Sequence, residues 1–381
     1  MKVVRILITD ASGYVGQFLL ESFLASSSSS LNDDGKDGEQ ERDVQYHIYA
    51  IDPSEDQKLK AALEKYQQGQ EENSSAKSSV IHIDALDTND PGQVNEYLKR
   101  KEIDNRHPID VCIHVPARYA SPRACCQHPD EARGAMIPAP LFDAMFATSP
   151  NSAVIAESTD QVYDGTRSPY GDDPDEKSAG GTNPLNRYGQ TKLDMENYLI
   201  EKMASSSCPS LHLLRCSLIL GPKAPFFGDG QTFLHFIAGR EGKETDFYVD
   251  EIRNAVSVRD VVRIIRRLVD IVSGAGEKAD AASASTGGGA VHVCNVGGPE
   301  PLNRYEMALR VFQHLGYDSR VVVSAHKSQE QQGENPPPAK TSIQTPNNVT
   351  MSSDKIKKLA DIHSDFKCFH DVLVDTFGPP K

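Results

Sequence analysis

The first two hundred residues alternate between two kinds of pattern. Short apolar runs occur at Val3–Thr9, Tyr46–Asp52, Ser79–Asp84, Val111–Val115, Ala153–Ser158 and Leu211–Leu220. Between them lie longer stretches with helical spacing of apolar positions: Gly16–Ala25, Asp56–Gln67, Pro91–Lys101, Pro129–Phe146 and Tyr188–Ala204. The short runs are continuous rather than alternating, the pattern of strands buried on both faces. Such β-α alternation predicts an α/β fold with a doubly wound parallel sheet and right-handed crossovers. Its ligand crevice is expected at the carboxyl ends of the strands. The pattern assigns residues 1–220 to this body and residues 221–381 mainly to a smaller C-terminal lobe. Segments 253–269 and 290–296 are expected to return to the body.

Four stretches break the alternation: Ser26–Asp43, Gln68–Ser78, Ser273–Ala290 and Ser328–Ser342. Their Ser, Gly, Glu, Gln and Pro content cannot bury enough apolar surface to offset ordering, so they read as disordered surface inserts. They also explain a mean hydropathy of -0.47, low for a chain whose remaining segments are ordinary core. The formal net charge of -14 disfavours nucleic acid as a partner, because phosphates require a basic face. No apolar run is long enough to span a membrane. Seven scattered cysteines, several within strand-like runs, suggest reduced thiols and a cytoplasmic setting. Cys125-Cys126 is the only cluster, and without further ligands it predicts no metal site.

The first strand leads into Thr9-Asp10-Ala11-Ser12-Gly13-Tyr14-Val15-Gly16 and then a helix. A glycine at 13 lets backbone approach a pyrophosphate, one at 16 lets helix pack on strand, and the helix start offers free N–H groups. The turn resembles the T-G-x-x-G-x-x-G of short-chain dehydrogenases, with Asp10 in place of the first glycine. The resemblance implies a Rossmann domain binding NAD or NADP through Thr9, Ser12, Gly13, Tyr14, Val15 and Gly16. At that position the Asp10 carboxylate is expected near the pyrophosphate unless the side chain turns away. Asp52 ends the second strand, where a carboxylate either bonds the adenosine ribose, favouring NAD, or serves as a turn residue before Pro53. Asp84 ends the third strand, facing the adenine by resemblance.

Tyr188 and Lys192 stand at i and i+4 on one helix face. An ammonium beside a phenol lowers its pKa, so that the phenol can exchange a proton with a carbonyl or alcohol. The same lysine can hold the nicotinamide ribose. A second match, Tyr97 with Lys101, reads as a solvated helix face. Thr159, at the end of the fifth strand, either hydrogen-bonds a substrate oxygen or caps the strand end. Thr159, Tyr188 and Lys192 are therefore the expected catalytic set.

Three further segments extend the resemblance: Ser158 to Gly165, the Y-G-x-T-K-L-x-x-E helix from Tyr188 to Glu196, and Leu214 to Pro222. Arg253–Val262, Pro301–Ala308 and Pro346–Met351 continue it. Together they are similar to dTDP-4-dehydrorhamnose reductase and to the regulatory beta subunit of methionine adenosyltransferase. Two departures stand out. Strand four reads Ile113-His114-Val115-Pro116-Ala117, and Met136 replaces an asparagine that holds a relay water in the family. With Asp10, these departures favour a regulatory protein that binds a dinucleotide and modulates S-adenosylmethionine synthesis through a methionine adenosyltransferase catalytic subunit. The alternative is a working NAD(P)H-dependent reductase of a 4-keto nucleotide sugar, with the C-terminal lobe binding substrate. A third reading is an inactive scaffold without cofactor.

Overall fold

The computed structural model describes residues 2–25, 44–53, 56–68, 79–171, 181–228, 232–275, 289–327 and 343–381. The four polar stretches named above lie wholly or largely outside these residues.

Six strands and the helices between them build the body in sequence order. They are β1 (Lys2–Thr9), α1 (Tyr14–Leu24), β2 (Val44–Asp52), α2 (Asp56–Gln68), β3 (Val80–Ala85), α3 (Pro91–Arg100) and β4 (Val111–His114). Next come α4 (Pro122–Gln127), α5 (Pro129–Met136), α6 (Ala139–Thr148), β5 (Ala153–Thr159), α7 (Arg187–Ala204) and β6 (Ser210–Cys216). The rest of the chain adds β7 (Ile219–Leu220), α8 (Phe233–Ala238), β8 (Thr245–Tyr248), β9 (Ile252–Arg253), β10 (Val256–Ser257) and α9 (Val258–Val272). It continues with β11 (Ala290–Val296), β12 (Leu302–Asn303), α10 (Arg304–Leu315), β13 (Val322–Ala325) and two helices, Asp354–Leu359 and Phe369–Phe377.

The main sheet has seven strands in the order β11-β6-β5-β4-β1-β2-β3, all parallel. The chain winds outward from β1 to β3, then returns to place β4 on the other side of β1. That reversal opens a crevice at the carboxyl ends of β1 and β4, where ligands of doubly wound sheets bind. Side chains alternate between two apolar layers. Ile6, Ile8 and Ile155 meet α1 and α9, whereas Leu7, Cys112 and Ala156 meet Phe142 of α6 and Leu199 of α7. A separate core fills the lobe, where Leu234, Phe247, Phe312 and Leu373 pack together. Among the described residues no helix is long and apolar enough to cross a membrane.

Three local expectations need correction. The single helix read over Pro129–Phe146 is two, α5 and α6, separated at Ile137 and Pro138. Proline lacks the N–H that would continue the ladder, and its ring crowds the preceding turn. The long strand read over Leu211–Leu220 also divides. Ser217 carries its hydroxyl to Asp160 at 3.0 Å, and Ile219–Leu220 pair with β10 outside the main sheet. Finally, the Tyr97 face of α3 is not solvated: Tyr97 is buried with Val94 and Leu98, and Lys101 is ion-paired to Asp84 at 2.6 Å.

Candidate active site

The turn after β1 is shaped by Asp10, whose φ of 47° is left-handed. The Gly13 amide donates to the Asp10 carbonyl at 2.9 Å, and α1 starts at Tyr14 with no side chain capping it. A Cβ on Gly13 would lie 2.3 Å from the Ala117 Cβ, and one on Gly16 would lie 2.7 Å from the Ala11 carbonyl oxygen. Only glycine lets the turn close on both neighbours. An uncapped helix start behind a glycine turn fits the diphosphate of a dinucleotide.

The Asp10 carboxylate is not left facing that helix start. It accepts hydrogen bonds from the Ala117 and Arg118 amides at 2.9 and 3.3 Å, tying the phosphate turn to the loop after β4. Burial pushes its pKa up to about 6, the two amides pull it down, and Asp52 nearby pushes it up.

The other residues of the expected cofactor set are distributed around this turn. Ser12 donates its hydroxyl to the Asp52 carboxylate at the end of β2, so those two lie together. Val15 and Gly16 begin α1, with Val15 in the core beside it. Thr9 and Tyr14 turn their side chains elsewhere. The Tyr14 hydroxyl donates to the Pro222 carbonyl at 2.8 Å, and the Thr9 hydroxyl meets His114 Nδ1 at 2.8 Å. Asp84 is held in ion pairs with Lys101 and Arg100.

The bonds of His114, at the end of β4, fix its state. Nε2 lies 3.0 Å from the Met136 carbonyl, which can only accept, so Nε2 carries the proton and Nδ1 accepts from Thr9. Burial lowers its pKa to about 3, keeping the ring neutral. Met136 thus contributes a backbone carbonyl here while its side chain fills the core.

Thr159, Tyr188 and Lys192 come from β5 and the first turns of α7. Asn186 caps α7 through the Gly189 amide at 3.0 Å. A Cβ on Gly189 would lie 2.1 Å from the Gln161 carbonyl oxygen, so glycine allows α7 to start directly against the turn that follows Thr159. Tyr188 is thereby brought beside Thr159, whose hydroxyl acts on the phenol. Thr159 also caps its own turn, accepting from the Gln161 amide at 3.2 Å, so the capping and the site positions coincide. Lys192 is 0% exposed; its ammonium donates to the Glu157 carbonyl at 2.8 Å and lies 4.0 Å from the Glu157 carboxylate.

The Tyr188 phenol is held well above its ordinary pKa, first by burial and then by the Glu157 carboxylate. The Thr159 hydroxyl pulls it down, and Asp160 and Cys125 add to the rise. Behind the site, Glu196 one turn beyond Lys192 receives Arg215 of β6 in a forked pair at 2.7 and 3.1 Å. Ser158 donates to the same carboxylate, and Arg215 reaches the Tyr163 hydroxyl at 3.0 Å. Asp160 lies 3.5 Å from Arg253, which joins the site to the lobe. His114 and Glu157 carried one legible signal: each is a polar side chain inside an apolar run, where burial demands a partner.

The architecture recurs in solved structures. dTDP-4-dehydrorhamnose reductase from Bacillus anthracis in complex with NADP is 15% identical, with a TM-score of 0.60 and 99% of each chain covered. dTDP-glucose 4,6-dehydratase from the same organism in complex with NAD is 15% identical at a TM-score of 0.63, covering 98% of this chain and 95% of its own. UDP-glucose 4-epimerase from Bifidobacterium longum in complex with NAD+ and UDP is 14% identical at 0.63, covering 98% and 97%. At such identities the likeness is one of fold. No curated protein matches the chain by sequence. The family described as RmlD substrate binding domain matches residues 4–368, nearly the whole length. The chain belongs to that family.

Proposed function

We propose that this protein is an NAD(P)H-dependent reductase of a keto group on a nucleotide sugar. The observation that carries the reading is the placement of Thr159, Tyr188 and Lys192 together at the carboxyl end of β5, beside the crevice where the strand order reverses. The dinucleotide supplies a hydride when bound. Around it the chain's own groups have distinct tasks. The uncapped start of α1 would receive the diphosphate, and the Ser12–Asp52 pair would hold a ribose hydroxyl and disfavour a 2′-phosphate, so NAD would be preferred. Thr159 orients the substrate carbonyl, and Tyr188 donates the proton that its oxygen takes up. The lobe built on α8 and α10 closes the sugar-nucleotide side.

Support comes from the family match and from neighbours whose own ligands are dinucleotides and, in the epimerase, UDP as well. The reading as a partner of methionine adenosyltransferase draws no support from these comparisons. The test is NADH and NADPH oxidation on adding a 4-keto dTDP-sugar, with Tyr188→Phe as control. Removing the proton donor should lower turnover about a hundredfold or more. Absence of substrate-dependent oxidation, or turnover indifferent to Tyr188→Phe, would overturn the reading.

A further inference from the structure

β5 reads Ala-Val-Ile-Ala-Glu-Ser-Thr, and Glu157 is its one charged residue. Strands covered on both faces are built of apolar side chains, so a carboxylate here needs a reason. Its side chain is 13% exposed, and its carboxylate lies 4.0 Å from the ammonium of Lys192, which is wholly buried. The same lysine donates to the Glu157 carbonyl at 2.8 Å. One residue therefore gives Lys192 both a backbone acceptor and a counter-charge. A buried ammonium left without an anion is strongly destabilising, so this pairing holds the lysine in place.

The surroundings show what the pairing does to the reaction. Tyr188 is faced by Glu157 and Thr159 of β5, by Asp160 of the turn after it and by Cys125 of α4. Lys192 is faced by Glu157, by His114 of β4, by Cys125 and by Cys216 of β6. His114 is neutral, and burial keeps both thiols protonated, so the carboxylates that act on the phenol are Glu157 and Asp160, while Lys192 stands one helical turn from it on the same face of α7. Asp160 is engaged by Arg253 and Ser217. An unpaired ammonium would draw the phenol toward phenolate, whereas one paired to Glu157 leaves burial to dominate.

We propose that Glu157 is a positioning residue that neutralises Lys192 inside the site and keeps Tyr188 a phenol, so that the centre is set to reduce carbonyls rather than oxidise alcohols. The direction of catalysis rests on the reductase reading; the electrostatic coupling does not. In reduction the carbonyl carbon takes the hydride and its oxygen takes the Tyr188 proton, giving an alcohol and a phenolate. Oxidation runs the same atoms in reverse and must begin from phenolate, the form that Glu157 disfavours.

The experiment is an ultraviolet titration of phenolate in the full chain without substrate. Tyr188 is isolated as the difference between parent and Tyr188→Phe, and again between Glu157→Gln and the double variant. In the parent, Tyr188 should contribute no phenolate below about pH 10, the ordinary tyrosine value. Glu157→Gln keeps the carbonyl that Lys192 uses and removes only the charge. It should bring phenolate in at least about one pH unit lower, a tenfold change in proton affinity. A neutral-range Tyr188 in the parent, or an unmoved titration in Glu157→Gln, overturns the proposal. The parent arm can overturn the proposal even if the variant does not fold. Where turnover is measured, the oxidation optimum of Glu157→Gln should move down in pH with the titration. A parent that turns over no keto-sugar nucleotide, beside a titration that shifts in Glu157→Gln, would sink the reductase reading and leave the coupling standing.

Discussion

At φ 47°, Asp10 holds a conformation that glycine takes freely and that costs other residues about 1 to 2 kcal/mol. Its carboxylate offsets that cost by binding the Ala117 and Arg118 amides, so the residue joins two loops that glycine would leave unconnected. The charge is nevertheless buried, with a native pKa raised from 3.8 to about 6. Between those values the native state holds more protons than the unfolded chain. The contribution is fully present below about pH 4 and is lost as pH rises through about 6, a change of about 3 kcal/mol. Asparagine tolerates the same backbone and keeps an acceptor without the charge. In Asp10→Asn that decline should vanish, so urea midpoints of parent and variant should converge near pH 4 and separate, variant higher, by pH 7. Parallel pH profiles would show that the carboxylate is not the group responsible.

At the scale of elements, α7 matters because it carries Tyr188 and Lys192 of the proposed site and is fastened to β6 by one buried pair. Arg215 and Glu196 have side chains 3% and 2% exposed, and their fork lies one turn beyond Lys192. Arg215→Leu leaves the Glu196 carboxylate buried with only Ser158, and should cost about 3 to 5 kcal/mol in urea denaturation. Combining it with Glu196→Leu should recover most of that loss, because no charge is then stranded; equal instability in both variants would contradict the pairing. Much of this helix was legible in the sequence. The i, i+4 spacing of Tyr188 and Lys192 and the apolar run before Thr159 follow from local periodicity, as do β1 and its glycine turn. Glu157 was not, because its meaning depends on a lysine thirty-five positions away. Asp10 was legible as a departure, but the direction of its carboxylate depends on Ala117, which topology alone brings near. The break between α5 and α6 was signalled by Pro138, yet the apolar pattern ran through it.

For the whole molecule, the decisive feature is the return of the chain from the lobe to the sheet. β11 pairs along the whole of β6, and α9 packs against α1, so both apolar layers of the body are completed from beyond residue 250. A fragment ending at residue 220 would expose the outer edge of β6 and the face of α1 that α9 covers. Such an open edge pairs readily with other chains. Expressed alone, residues 1–220 should aggregate or elute as oligomers in size-exclusion chromatography, while the full chain should not. A monomeric fragment with a cooperative melt would show that the body is self-sufficient.

The same return has a consequence during synthesis. β6 leaves the ribosome roughly seventy residues ahead of β11, an interval of about 4 to 15 seconds at ordinary elongation rates. Throughout that interval the sheet has six of its strands and one unsealed border, and everything that could seal it is still being translated. A nascent chain in this state is a substrate for chaperones. Slower elongation between Cys216 and Ala290 should therefore lower the yield of soluble protein even though the amino-acid sequence is unchanged.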